Sequence, residues 1–291
     1  MKNTYDIIIV GFGPAGVSAS LYTQRAGMDT LLIGSRSKSL EKADSVENYY
    51  GLAPSLSGKE LYENGILQAE NVGATLCEDQ VVGISWEGDY RVKTTQNEYL
   101  AKAVIIATGT KRSAPPIKGL KELEGRGVSY CAVCDGFFYR KKAVGVLGSG
   151  DYAHEEAKEL MAVTGEVTIF SNGEPLEKRE GFLYNENKIL GVNGEEKVES
   201  LSLEGGDTVP LSGLFVAIGT AGATDLAKKL GVEISGNSIK VDENMQTNLP
   251  GLYAAGDTTG GMLQVAKAVY QGAVAGTSAL KFVRGLKQEN K

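Results

Sequence analysis

DIIIVGFGPAG, residues 6–16, is the stretch on which the fold class turns. Asp6 to Val10, DIIIV, is a β-branched run that suits a strand buried on both faces. It breaks off into Gly11, Gly13 and Gly16, spaced as GxGxxG, and the small-residue segment Ala15 to Ala26 predicts a helix stopped by Gly27. Thr30 to Ile33 predicts the next strand. In that setting Gly11 permits the tight turn, Gly13 lets a pyrophosphate approach the backbone, and Gly16 lets the helix pack on the strand. Free N–H groups and the helix dipole then favour phosphate. A strand–helix turn that binds nothing is the competing reading, and the flanking strands count against it. One usual contact is missing: the second strand ends Ile33-Gly34-Ser35, with no acid for a ribose.

The pattern recurs. Ala143 to Leu147 (AVGVL) predicts a strand, residues 148–153 form a GxGxxA loop, a helix follows to about Val163, and Val167 to Phe170 predicts the next strand. Val104 to Thr108 before Gly109, and Leu214 to Ile218 before Gly219, read as a matching pair of buried strands ending in glycine turns. Leu252 to Ala255 leads into Gly256-Asp257, where a carboxylate at a strand end can accept hydrogen bonds from a sugar or ribityl hydroxyl. The last helix is expected over about Leu263 to Arg284. The fold class is therefore α/β with two Rossmann-like dinucleotide-binding folds.

The chemistry is concentrated in Cys131-Ala132-Val133-Cys134-Asp135. A CxxC pair can close a small disulfide and can carry a lowered thiol pKa. Exchange with a substrate disulfide needs one thiolate to attack and a second to resolve the mixed disulfide. Asp135 is placed to move a proton to or from a departing thiolate. Zinc is the rival: Cys77, Cys131, Cys134 and His154 make a Cys₃His set by count, but their spacing matches no compact zinc module. No metal is expected, and Cys77 reads as a small buried hydrophobe.

The 291 residues hold 30 basic and 36 acidic side chains, and a net charge of −6 argues against a general nucleic-acid binder. Three cysteines exclude a disulfide-stapled secreted scaffold. Thirty-eight glycines, about twice the usual share, follow no collagen period and belong in turns and ligand loops. The apolar run at the N-terminus is too short for a signal segment or a membrane span, so a cytoplasmic protein with no membrane association is expected.

GFGPAG (11–16), ENYYG (47–51), ATG (107–109), CAVCDGFF (131–138), GSGDYAHEEA (148–157), GLFVAIG (213–219) and AAGD (254–257) together resemble the low-molecular-weight thioredoxin reductase family over essentially the whole chain. The resemblance implies an FAD-binding domain in two parts, 1–113 and 213–291, interrupted by a smaller redox-active domain, 114–212. It implies non-covalent FAD held at Gly11, Gly13, Pro14, Ala15, Gly16, Asn48, Thr108, Gly109, Gly256, Asp257, Gln264, Val265 and Ala266. It makes Cys134 the flavin-facing thiol, Cys131 the thiol that attacks thioredoxin, and Asp135 the acid–base group. A homodimer is usual in the family.

The departures from that family carry as much. A member that uses NADPH would show a His-Arg-Arg string after the strand ending at Phe170, where this chain reads Ser171-Asn172-Gly173-Glu174-Pro175-Leu176-Glu177. A 2′-phosphate needs guanidinium partners, and two glutamates repel it. Lys178 and Arg179 could substitute only if the loop folded back. Tyr152 is bulky where the loop usually has a small residue.

These features resemble the ferredoxin-dependent flavin thioredoxin reductases. A ferredoxin near −400 mV and a thioredoxin near −270 mV differ by about 130 mV, on the order of 6 kcal/mol downhill for two electrons. Residues 111–142 hold Lys111, Arg112, Lys118, Lys121, Arg126, Arg140, Lys141 and Lys142 against Glu122, Glu124 and Asp135, a local charge of +5. That is either a docking patch for an acidic ferredoxin or an ordinary solvated surface. Other readings stay open: NADH or NADPH as donor, a glutaredoxin-like or peroxide-reducing acceptor, and a non-catalytic flavin redox sensor.

Overall fold

The structure, a computed structural model, describes residues 2–35, 38–41, 43–109, 115–219 and 222–289, with the side chains of all of these except residues 38, 39, 134 and 289. The chain forms two compact units, one of residues 1–111 with 222–291 and one of residues 112–221.

The first unit is built on a sheet whose central strand, Thr4–Val10, lies parallel to Thr30–Gly34 on one side and to Glu98–Ile106 on the other. Thr75–Glu78 extends it beyond Thr30–Gly34. Glu98–Ile106 is long enough to serve two partners along its other edge. Tyr90–Thr94 pairs antiparallel with its first half, and Leu252–Ala254 pairs parallel with its second. Ile7, Ile8, Ile9, Leu31, Leu32 and Ile105 are fully buried, as a parallel sheet covered on both faces requires.

Helix Pro14–Arg25 and the long helix Val265–Glu289 pack at very short range. Glycines make this possible. A Cβ at Gly272 would stand 2.1 Å from the Ala15 carbonyl oxygen, and one at Gly276 would stand 2.7 Å from that of Ala19.

The second unit has an all-parallel sheet in the order Leu183–Asn185, Glu166–Phe170, Ala143–Leu147, Gly213–Val216, Val128–Ser129. A three-stranded antiparallel sheet, Ile189–Asn193, Ser200–Leu203 and Thr208–Pro210, joins it in one core with Leu147, Phe170, Leu201 and Leu214. The sequence reading places a boundary at 213. Strand Gly213–Val216 pairs in register with Ala143–Leu147, so the second unit runs on to 221. The other expected boundary, at 113, lies outside the described residues.

The repeat seen in the sequence is a repeat in space. The Gly11 amide bonds the Ile33 carbonyl (2.7 Å), and the Gly148 amide bonds that of Phe170 (2.9 Å). A Cβ at either glycine would stand 2.2 Å from a carbonyl oxygen, of Ala107 in the first unit and of Ala217 in the second. The strands ending at Ile106 and Val216 are thus counterparts, as their sequences suggested.

Candidate active site

In the first unit the expected cofactor residues converge. Gly11 abuts Ala107 and the Thr108 amide, and Gly256 faces the Ala15 side chain. Gly256 and Asp257 open a short 3₁₀ turn, Gly256–Thr259. Asn48 donates to Gln264 Oε1 at 2.9 Å, joining two expected ligands directly. The long helix begins at Val265, so Val265 and Ala266 stand at its N-terminus.

Two observations test whether FAD fits this cradle. Helix Pro14–Arg25 starts at Gly13 with no side-chain cap and no acid in its first turn, and nothing stands within 4 Å of where a Gly13 Cβ would be. This helix start, left without a side-chain cap, carries the positive end of the helix dipole. The Thr108 hydroxyl is buried with no partner. A buried hydroxyl costs stability unless something bonds it, and beside a glycine loop a cofactor oxygen would do so. The residues fit the group.

Sequence reasoning missed Lys267 and Gln271. The Lys267 ammonium donates to the carbonyls of Gly256 (3.0 Å) and Gly260, while Gln271 accepts from the Gly256 amide and the Thr259 hydroxyl, each at 2.9 Å. Burial pushes the Lys267 pKa down, against the Asp257 charge that raises it. Together these two side chains fix the segment carrying Asp257. Their spacing of four marks one helix face, but only tertiary structure shows what that face holds.

The cysteine pair lies in the second unit. Cys131 is buried and disulfide-bonded, which removes it from any zinc-thiolate set; Cys77 is a free, buried thiol in the first unit, 3.5 Å from the Tyr99 hydroxyl. The short helix Ala132–Asp135 contains the Cys134 backbone, and the Cys134 side chain lies outside the described residues. Ser129 ties this segment together. Its hydroxyl accepts from the Cys131 amide (3.1 Å) and donates to Asp135 Oδ2 (2.6 Å). Behind it, the carboxylate of Glu156, on helix Asp151–Met161, accepts from the Ala132 amide at 2.9 Å. Neither Ser129 nor Glu156 was expected here, although a glutamate on the apolar stripe of Ala153, Ala157 and Leu160 is a visible anomaly.

The surface beside the pair is apolar and basic. Val133, Phe137 and Phe138 are exposed, and the Arg140 guanidinium stands 4.5 Å over the Phe137 ring. Lys118, Lys121, Arg126, Arg140, Lys141 and Lys142 of the basic stretch are all exposed; Lys111 and Arg112 lie outside the described residues.

The second glycine loop has the geometry of the first and a different occupant. The chain folds back over it, but the Arg179 guanidinium is paired with Asp151, in the first turn of the loop's own helix. Lys178 pairs with Glu186 at 2.6 Å. The Arg179 amide donates to the Tyr184 hydroxyl (2.7 Å), which lies 3.0 Å from His154 Nε2, and His154 Nδ1 faces the Gly150 carbonyl at 3.1 Å. Phe182 packs edge-on against the imidazole. Burial first, and the Arg179 charge with it, hold the His154 pKa below its usual value. The neutral ring therefore keeps its proton on Nδ1, toward the carbonyl. Tyr152 is fully buried where the first loop has Ala15. A nucleotide phosphate at this helix end would meet the Asp151 carboxylate, and the Arg179 guanidinium is committed to that same carboxylate.

Residues 5–272 match the model of the pyridine nucleotide-disulphide oxidoreductase family. The thioredoxin reductase of Listeria innocua is 35% identical over 309 residues, covering 99% of this chain and 96% of that one. Among solved structures, the atypical thioredoxin reductase of Desulfovibrio vulgaris Hildenborough is 40% identical with a TM-score of 0.90, covering 97% of this chain and 98% of its own. A ferredoxin-flavin thioredoxin reductase from Clostridium acetobutylicum is 31% identical with a TM-score of 0.70, covering 98% and 99%. The chain belongs to the pyridine nucleotide-disulphide oxidoreductase family and, within it, is a disulfide oxidoreductase of the FAD-binding thioredoxin reductase type.

Proposed function

We propose that this enzyme reduces thioredoxin through Cys131 and Cys134 with electrons taken from reduced ferredoxin. The observation that carries the choice of donor is the Arg179–Asp151 pair over the second glycine loop. It leaves a pyridine nucleotide with a carboxylate at the helix end and no guanidinium for a 2′-phosphate. Glu174 and Glu177 stand exposed on the same connection. The exposed lysines and arginines after Pro116 suit an acidic protein donor, and the likeness to a ferredoxin-flavin reductase supports the reading.

In this reading the backbone of the loop 11–16 at the helix start would hold the pyrophosphate, Thr108 would bond the cofactor, Asp257 would accept from a ribityl hydroxyl, and Asn48, Gln264, Val265 and Ala266 would complete the cradle around Gly109 and Gly256. FAD supplies a store that fills one electron at a time and empties two at a time. Cys131 attacks the thioredoxin disulfide, and Cys134 then displaces thioredoxin from the mixed disulfide. The thioredoxin cystine is reduced to a dithiol as the enzyme dithiol is oxidised. Asp135, oriented by Ser129, moves the proton at the departing thiolate.

The test is anaerobic and optical. Reduced ferredoxin should bleach the yellow protein within the time of a turnover, and NADPH or NADH at the same excess should bleach it at least about a hundredfold more slowly. Rapid stoichiometric bleaching by either nucleotide rejects the ferredoxin assignment. Sustained thioredoxin reduction from an artificial one-electron donor separates the enzyme from a redox sensor.

We also infer a homodimer, as the family resemblance implies. A groove of 540 Å³ lined by Val17, Leu21, Tyr22, Leu61, Leu67 and Val265 opens on the first unit, with Tyr22 and Leu67 about half exposed. An apolar surface of this kind marks an interaction site. Tyr22→Glu combined with Leu67→Glu should halve the mass seen by light scattering. A wild-type protein that sediments as a monomer at micromolar concentration removes the inference.

A further inference from the structure

We propose that Glu156 is a positioning residue of the redox segment, and that its charge, held against the Ala132 amide, restrains the reactivity of Cys131. The proposal rests on the reading of Cys131 and Cys134 as the exchange couple. Glu156 is 1% exposed, on a helix face whose other members, Tyr152, Ala153, Ala157 and Leu160, are fully buried. Glutamate is almost never buried to this degree unless something specific compensates it. Here the Ala132 amide, the first of the helix that follows Cys131, donates to Glu156 Oε2 at 2.9 Å. At the start of a helix such an amide has no partner within the helix. The same helix also presses on the segment from the apolar side: a Cβ at Gly136 would stand 3.2 Å from Leu160 and from Val163.

A neutral acceptor would satisfy the amide equally well. A carboxylate adds a negative charge one peptide bond from Cys131, and a like charge disfavours the thiolate. Among the described residues, Tyr152 on the same helix is fully buried. Glu155 pairs with Lys158 at 2.9 Å, Asp151 with Arg179, and His154 faces Tyr184, while Glu159 is exposed. On the redox segment itself Asp135 is bonded by Ser129, and burial together with the Asp135 charge raises Tyr139. Glu156 is thus the buried charge fixed on the cysteine segment's backbone. Its effect is to keep the attacking thiol largely protonated when no partner is docked, which limits exchange with incidental disulfides.

The experiment alkylates reduced protein in a Cys134→Ser background, scoring the Cys131 peptide apart from the Cys77 peptide by mass. Glu156→Gln keeps an acceptor oxygen and removes the charge. The apparent pKa of Cys131 should fall by about one unit. At neutral pH that means roughly tenfold more thiolate, offset by roughly threefold lower intrinsic nucleophilicity, for a net rise of about threefold in rate. A purely structural bond predicts an unchanged pH profile, and that result overturns the proposal. A second measurement needs no variant: the Ala132 amide should be strongly protected from hydrogen exchange in the wild-type holoenzyme, and free exchange there also overturns it. Neither readout involves turnover. If Cys131→Ser stays active while Glu156→Gln shifts the profile, the relay reading fails and the Glu156 assignment stands.

Discussion

Cys131→Ser and Cys134→Ser should each lower thioredoxin reduction by on the order of a thousandfold or more and leave FAD bound. In the proposed relay the two thiols act in sequence. Without Cys131 nothing attacks the incoming disulfide, and without Cys134 the mixed disulfide is not resolved. Two vicinal cysteines acting as a unit should give non-additive losses, so the double variant should be no worse than either single one. FAD retention is expected, since the residues proposed for the cradle, 11–16, 108–109, 256–257 and 264–266, belong to the first unit and the cysteines to the second. The assay is coupled thioredoxin reduction with ferredoxin as donor, alongside flavin absorbance of the purified variants. Near-full activity in either single variant would show that electrons do not pass through this pair. A variant that loses its colour would show that the two units are not independent.

Gly11→Ala should strip the protein of flavin. The backbone at Gly11 has φ +126°, which side chains rarely adopt, and an added Cβ would lie 2.2 Å from the Ala107 carbonyl oxygen and 2.9 Å from the Thr108 amide. Backbone strain of this kind costs about 1–3 kcal/mol. Moving the Ala107–Thr108 backbone displaces a second wall of the same cradle. A loss of about 2.8 kcal/mol in binding is about a hundredfold in affinity, measurable by titrating FAD into the apoprotein. The contrast is Gly13→Ala, where the Cβ meets no protein atom within 4 Å and only a bound pyrophosphate can object. Equal affinity in wild type and Gly11→Ala would mean that the flavin sits elsewhere.

How far the sequence could be read depended on the range of the interactions involved. The elements around both glycine loops were legible to within two or three residues because strand, turn and helix are dictated locally. Thr4–Val10 and Ala143–Leu147 show this, as does Glu166–Phe170. The membership of Gly213–Val216 was not legible. A buried run such as LFVAI looks the same whichever sheet it joins, and only its register with Ala143–Leu147 assigns it. The meander Val81–Trp86 and Tyr90–Thr94 went unread, though Tyr90–Thr94 alternates buried and half-buried residues as an antiparallel strand should.

The same holds at the site. Gly11, Thr108 and Asp257 belong to recognisable strings. Ser129, Glu156, Lys267 and Gln271 act through contacts that no spacing rule encodes. Lys178 and Arg179 read from sequence as cations that could serve a phosphate only if the loop folded back, and Arg179 is instead engaged by a carboxylate. Its actual partner, Asp151, lies 28 positions away, and a charged residue at a helix start reads from sequence only as an ordinary electrostatic complement to the dipole.

The stapled second loop also bears on how readily such a protein could be re-engineered. Grafting arginines onto the turn after Phe170 would supply the missing cations and leave the seat taken, because Tyr152 fills the floor while Arg179, Tyr184 and His154 interlock above it. Each of these side chains depends on another, so removing one exposes an unmatched polar atom before any coenzyme could repay the loss. Conversion would require several simultaneous replacements with unfavourable intermediates. On the proposed reading, resistance to a pyridine nucleotide would rest on mutual dependence among a few residues, and not on a simple deficit of positive charge.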